Sequence, residues 1–189
     1  MNESQRYTRT AMVLHWLIAV LIIVNVVLAW TDEMWPQGWE RHVIDLHKSI
    51  GITVLGLAIV RILWRATHRP PALPSHFPKL EQGAAHAAHV ALYLLIFAIP
   101  LSGWLHDSAW SGAATHPMQL FFLIPWPRIG FIMQLDDATK DTLHTLFGQL
   151  HTWFGYALYV VLFLHVAGAL KHEFIDRDSV IRRMLPWGK

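Results

Sequence analysis

Four stretches of this sequence carry little or no charge over lengths that cross a lipid bilayer, and no other feature restricts the fold as strongly. Residues 11–31 run for 21 positions without a charged side chain, residues 82–106 for 25 and residues 142–170 for 29. A weaker stretch, 42–64, is interrupted by Asp45, Lys48 and Arg61. A transmembrane helix needs about 20 mostly apolar residues. Hydrocarbon offers the backbone no partner, so a span must be a helix or part of a closed barrel. Barrel strands would alternate over about 10 residues, which these runs do not do. The expectation is an all-α integral membrane protein: a single four-helix bundle over residues 1–189, with lipid as its solvent. The first stretch carries His15 and Asn25 and lacks a small-residue cleavage site, so it reads as a retained helix.

Composition agrees and narrows the chemistry. Hydrophobic residues make up 54% of the chain and charged ones 15%, too apolar a balance for an ordinary soluble domain. There are no cysteines, which excludes disulfides, thiolate-held iron–sulfur clusters and covalently attached c-type haem. Thirteen histidines remain as ligands for a borderline metal. Ten tryptophans suit the membrane–water interfaces. No nucleic-acid partner is expected.

The basic residues set an orientation. Four spans place both termini on one side, which receives Arg6, Arg9, Arg61, Arg65, Arg69, Lys79, Lys171, Arg177, Arg182, Arg183 and Lys189, eleven in all. The other side receives four: Arg41, Lys48, Arg128 and Lys140. The positive-inside rule then makes both termini cytoplasmic. The proline-rich segment 68–78 is expected to be an extended inner loop. The outer connection 107–141 is the longest; its 124–128 run reads as an interfacial turn, and 136–145 as an outward extension of the fourth helix.

Histidine spacing carries the chemistry. His151 and His165 are 14 residues apart, so at about 100° per residue they face nearly one direction, roughly 21 Å apart along the axis. Two haems stacked in a bundle core need ligands at two such levels. His15 opens the first helix at the inner level, and His47 opens the second at the outer level. Matching by depth pairs His15 with His165 and His47 with His151. Two imidazoles on one iron make a six-coordinate haem suited to electron transfer. One histidine in a span is as readily a hydrogen bond between helices. Four matched in depth favour ligation. Gly51, Gly155 and Gly168 follow His47, His151 and His165 by four, four and three residues, where a macrocycle needs the backbone to recede. Tight helix packing explains small residues equally well. Near the inner level, His89 (with His86 a turn earlier), His172, Arg61 and Lys171 form an expected basic corner for a quinone head group or haem propionates.

Several segments carry a family resemblance. They are Leu14–His15–Trp16, the run Leu46–His47–Lys48–Ser49–Ile50–Gly51, Ala88–His89–Val90 with Leu92–Tyr93, and the His151 to His165 spacing. Ala169–Leu170–Lys171–His172, Phe174–Ile175–Asp176 and Arg183–Met184–Leu185 complete the set. Over essentially the whole chain this resembles the bacterial cytochrome b561 family. The resemblance implies two noncovalent b haems in the bacterial inner membrane and ubiquinone as the lipid-phase partner. It also implies a small-molecule or protein electron donor. A family member that oxidises superoxide at the outer face and reduces ubiquinone implies that activity as a further expectation. Against a basic entrance for superoxide, the outer side holds eight acids: Asp32, Glu33, Glu40, Asp45, Asp107, Asp136, Asp137 and Asp141. Lys48, Arg128 and Lys140 are its local basic sites. The ligand layout is also similar to the membrane cytochrome subunit of formate dehydrogenase and hydrogenase complexes, which implies an anchor for a soluble dehydrogenase. If the chain is an enzyme, it is a quinone-linked oxidoreductase. A histidine-rich metal-ion transporter is the alternative from another class. It fits less well, because the third span has no charge between Glu81 and Asp107 and the histidines gather at two depths.

Overall fold

The computed structural model describes residues 6–31, 34–72 and 77–186. Four helices are long and apolar enough to cross a membrane. They are α1 (Arg9–Trp30), α2 (Glu40–Thr67), α3 (Lys79–Ser108) and α5 (Asp137–Leu170), the last continued by a π turn over Lys171–Ile175. A single-turn helix, α4 (Gly130–Met133), precedes α5. Each span starts before its uncharged stretch, because ionisable residues at a helix end reach water while the backbone stays helical. Thr8 caps α1 by accepting from the Ala11 N–H at 3.3 Å, and Asp136 caps α5 by accepting from the Thr139 N–H at 3.0 Å.

The spans pack α1 on α2, α2 on α3 and α3 on α5. Ile18 of α1 meets Ile50 and Val54 of α2 in the main apolar cluster. Elsewhere the apolar residues turn outward: Leu94, Trp153, Val160 and Phe163 are all exposed. Such faces are the lipid contacts of a membrane protein.

The outer loop is built rather than slack. A short antiparallel pair, β1 (Gln119–Leu120) with β2 (Ile124–Pro125), lays Met118 and Leu120 against Ile52 of α2. Ser49 and Ser108, both fully buried, pin it: the Phe121 N–H donates to Ser49 Oγ at 2.9 Å and the Ile129 N–H to Ser108 Oγ at 3.0 Å. Buried Asp107 accepts from Arg128 Nε at 2.8 Å and pairs with Lys48 Nζ at 2.6 Å. Arg128 also donates to the carbonyls of Ala113 and His116. The outward extension of the last helix is present. The 124–128 run is a strand end followed by this buried arginine.

The first and last described segments meet at one end of the bundle. The Tyr7 N–H bonds the Arg183 carbonyl, Arg6 Nη2 the Leu185 carbonyl, and Trp16 Nε1 the Met184 carbonyl. Asp32, Glu33, Lys189 and residues 73–76 of the proline-rich segment lie outside the described residues.

Candidate cofactor-binding site

The four phased histidines meet in two pairs. His47 of α2 and His151 of α5 face each other with ring centroids 6.0 Å apart and planes 76° apart. His15 of α1 and His165 of α5 do the same at 6.3 Å and 75°. A metal–imidazole bond of about 2 Å plus roughly 1 Å from nitrogen to ring centre puts two axial rings about 6 Å apart. Both pairs stand at the separation that one shared metal requires.

The outer pair is held from behind. His151 Nδ1 lies 2.9 Å from the Ile99 carbonyl, and His47 Nδ1 lies 3.2 Å from the Asn25 carbonyl. A carbonyl can only accept, so each Nδ1 carries the proton and the lone pair sits on Nε2. Metal-ligating imidazoles are oriented this way. Pro100 inside α3 follows the Ile99 carbonyl, and Ser102 Oγ lies 3.3 Å from His151 Nδ1.

Around this pair is a cavity of about 810 Å³. Gly51, Gly103, Gly148 and Gly155 line it, as do Asn25, Trp30 and Tyr159. A Cβ on Gly51 or Gly155 would meet no protein atom closer than 3.8 Å, so these two glycines face open cavity. Gly168 has nothing within 4 Å. Asn25 Oδ1 is buried without a partner. The space and the receding backbone suit a flat macrocycle larger than a single ion. Trp30 Nε1 donates to Tyr159 Oη at 3.1 Å and joins α1 to α5 at the cavity wall.

At the inner level a third ring joins the pair. His89 of α3 has its centroid 5.3 Å from that of His165, at 63°. That is shorter than the axial separation, so His89 is a neighbour of the pair. Arg61 Nη1 donates to the Ala11 carbonyl at 2.9 Å, one turn from His15, and its guanidinium lies over Tyr93 at 5.9 Å. His86 is exposed. The expected basic corner is divided. Lys171 pairs with Glu81 at 3.0 Å and Asp176 at 2.7 Å. His172 stacks on Phe77 at 4.3 Å, with Nδ1 2.9 Å from Asp176 and 3.7 Å from Asp178, and Nε2 3.7 Å from Glu81. The Asp176 carboxyl is held below the usual carboxylate range, first by its hydrogen bond from Lys171. His89 and Arg61 therefore attend the inner pair, while Lys171 and His172 sit in a carboxylate cluster.

One further pair escapes a reading of spacing alone. His106 and His144 stack at 3.8 Å and 16°, each with Nδ1 on the other's carbonyl, at 2.8 and 3.0 Å. Both line the outer cavity. His144 precedes His151 by seven residues, on nearly the same helix face, which was the available signal. On the outer rim, Lys48 and Arg128 share Asp107, and Lys140 pairs with Asp137 at 2.8 Å. None of the three is an unpaired cation.

The sequence is similar to proteins that carry this arrangement's name. The family model for prokaryotic cytochrome b561 matches residues 6–187. Cytochrome b561 homolog 2 of Escherichia coli is 36% identical over 97% of this chain and 93% of its own length. The probable superoxide oxidase CybB of Yersinia pestis is 28% identical over 96% of this chain and 97% of its own. Cytochrome b562 of Cereibacter sphaeroides is 25% identical over 98% of both. With four spans, histidines paired across them and a family match along almost the whole chain, this protein belongs to the prokaryotic cytochrome b561 family, multi-pass proteins of the bacterial inner membrane that bind b-type haem and carry electrons.

Proposed function

We propose that the chain holds two b haems, one between His47 and His151 and one between His15 and His165, and passes electrons between an outer donor and the quinone pool. The two cross-helix pairs at 6.0 and 6.3 Å carry this reading. Bound haem supplies a one-electron carrier with no open axial position. The residues do the rest. The Asn25 and Ile99 carbonyls fix the tautomer of the outer ligands, and Trp30 with Tyr159 walls the site. At the inner level His89 and Arg61 contact a ubiquinone head group or the propionates. Each quinone takes two electrons and two protons. Lys171 and His172, with Glu81, Asp176 and Asp178, form the water-facing cluster through which those protons enter.

Superoxide is the donor favoured by the similarity to CybB of Yersinia pestis, which covers nearly both chains. The paired state of Lys48, Arg128 and Lys140 leaves no strong electrostatic funnel at the outer face, so a rate well below the diffusion limit is expected. The competing reading is a membrane anchor for a soluble dehydrogenase.

Two measurements test this. A pyridine haemochrome assay should give two haems per chain, and one or none would end the reading. His47→Ala and His151→Ala should remove the same haem, and His15→Ala and His165→Ala the other; mixed losses would break the pairing. For the electron path, stopped-flow mixing with superoxide should reduce the haem, and ubiquinone should reoxidise it. Leucine at His89 should slow reoxidation while leaving haem content whole. Unchanged reoxidation would remove His89 from the quinone site.

A further inference from the structure

A second cavity, of about 220 Å³, opens at the end of the bundle where residues 6–8 meet the segment 183–185. Arg6, Arg61, Arg65 and Arg69 line it together with Trp64 and Tyr93, and no carboxylate does. Among the described residues none of these four arginines makes an ion pair. Arg6 Nη2 donates to the Leu185 carbonyl at 2.7 Å, yet its Nε is buried with no partner. The guanidinium groups of Arg61 and Arg65 lie 5.9 and 5.5 Å from the ring centre of Tyr93. Four like charges drawn to one small space repel one another unless an anion joins them. Ordinary snorkelling would spread them into water. Here a tail carbonyl, the Ala11 carbonyl and an aromatic ring hold three of them in place.

We infer that this cavity binds the phosphate of an acidic phospholipid head group. Guanidinium forks match phosphate oxygens, and basic pockets between transmembrane helices are a recurrent place for such lipids. The volume lies below the roughly 300–1,000 Å³ of pockets that take whole small molecules, so it suits a head-group fragment and not a macrocycle. Its position fits a lipid better than a soluble ion. Trp64 stands at the membrane-interface end of α2, and the same turn exposes Ile62 and Leu63, where acyl chains would lie.

The test uses haem-loaded protein in nanodiscs of phosphatidylcholine, with and without phosphatidylglycerol. The wild-type thermal midpoint should rise when phosphatidylglycerol is included, and native mass spectrometry should find that lipid retained. Arg65→Gln with Arg69→Gln should lose both effects and keep full haem content. If the double variant does not accumulate, Arg69→Gln alone makes the comparison, because that side chain is exposed. Three outcomes overturn the inference. Equal stability in both lipids means no lipid site. An equal rise with inorganic phosphate in phosphatidylcholine alone means a free-anion site. Loss of haem from the arginine variants means the cavity serves propionates instead.

Discussion

His151 is gripped on three sides: by the Ile99 carbonyl at 2.9 Å, by Ser102, and by the bare backbone of Gly103. A Cβ on Gly103 would sit 3.1 Å from His151 Cε1, inside ordinary contact, so the ring would have to move. Gly103→Ala is therefore expected to weaken the outer haem selectively, with haem content falling toward half in the pyridine haemochrome assay. Gly83→Ala meets nothing within 4 Å and should retain both haems. Asp107 makes a different prediction. It is buried between Lys48 and Arg128, and Asp107→Asn removes the charge both cations face. Breaking a buried pair in this way costs about 3 kcal/mol, read as a lowered unfolding midpoint in detergent. The meeting of His47 with His151 and of His15 with His165 was legible because helical phase and depth are properties of spacing. Ser102, Gly103 and the His106–His144 stack were not, because their partners lie on another helix and the sequence carries no record of which carbonyl will face which ring. The assignment of His172 to a basic corner did not take in the carboxylates around it: Asp176, one turn on, Asp178 just beyond, and Glu81 from the start of α3.

Helix α5 shows what an element adds to its residues. It runs from Asp137 past the hydrocarbon and brings His144, His151 and His165 to three levels of one face. Its first turn depends on Asp136, whose carboxyl is held below the usual range by hydrogen bonds from the Thr139 hydroxyl and N–H. A carboxyl depressed in the folded state stabilises above its ordinary pKa of about 3.9 and loses that contribution as pH falls through the folded value. The protection of the amides at 139–141, measured relative to the intrinsic exchange rate at each pH, should thus be constant from neutrality down to the ordinary carboxylate range and fall only at lower pH. Asp136→Ala should show low protection throughout. The spans themselves were readable because charge is excluded from hydrocarbon. The β1–β2 hairpin was not: its turn runs through Phe121 and Phe122 at φ 51 and 62, where Gly or Asn is the usual signal.

The molecule as a whole closes on itself at one end and opens a cofactor-sized space toward the other. Tyr7, Arg6 and Trp16 all bond the tail between Arg183 and Leu185, and Arg183 Nη2 donates to the Ala72 carbonyl at 2.8 Å. Deleting residues 181–189 should loosen the inner end first. The expected result is loss of the His15–His165 haem before the His47–His151 haem during mild heating, followed in the visible spectrum. The two levels also differ in how their imidazoles are backed. His47 and His151 each give Nδ1–H to a carbonyl, which makes Nε2 a stronger donor and would favour the oxidised state of a haem iron bound there. Among the described residues neither ring of the inner pair has such a carbonyl, and the Arg61 cation, one turn from His15 through Ala11, favours an added electron there. With haem held by both pairs as proposed, an electron would rest at higher energy in the outer half than in the inner half. The bundle would then be a slope, its direction set by two backbone carbonyls and one guanidinium. In a redox titration the component lost in His47→Ala should have the lower midpoint; were it the higher, the slope would run the other way.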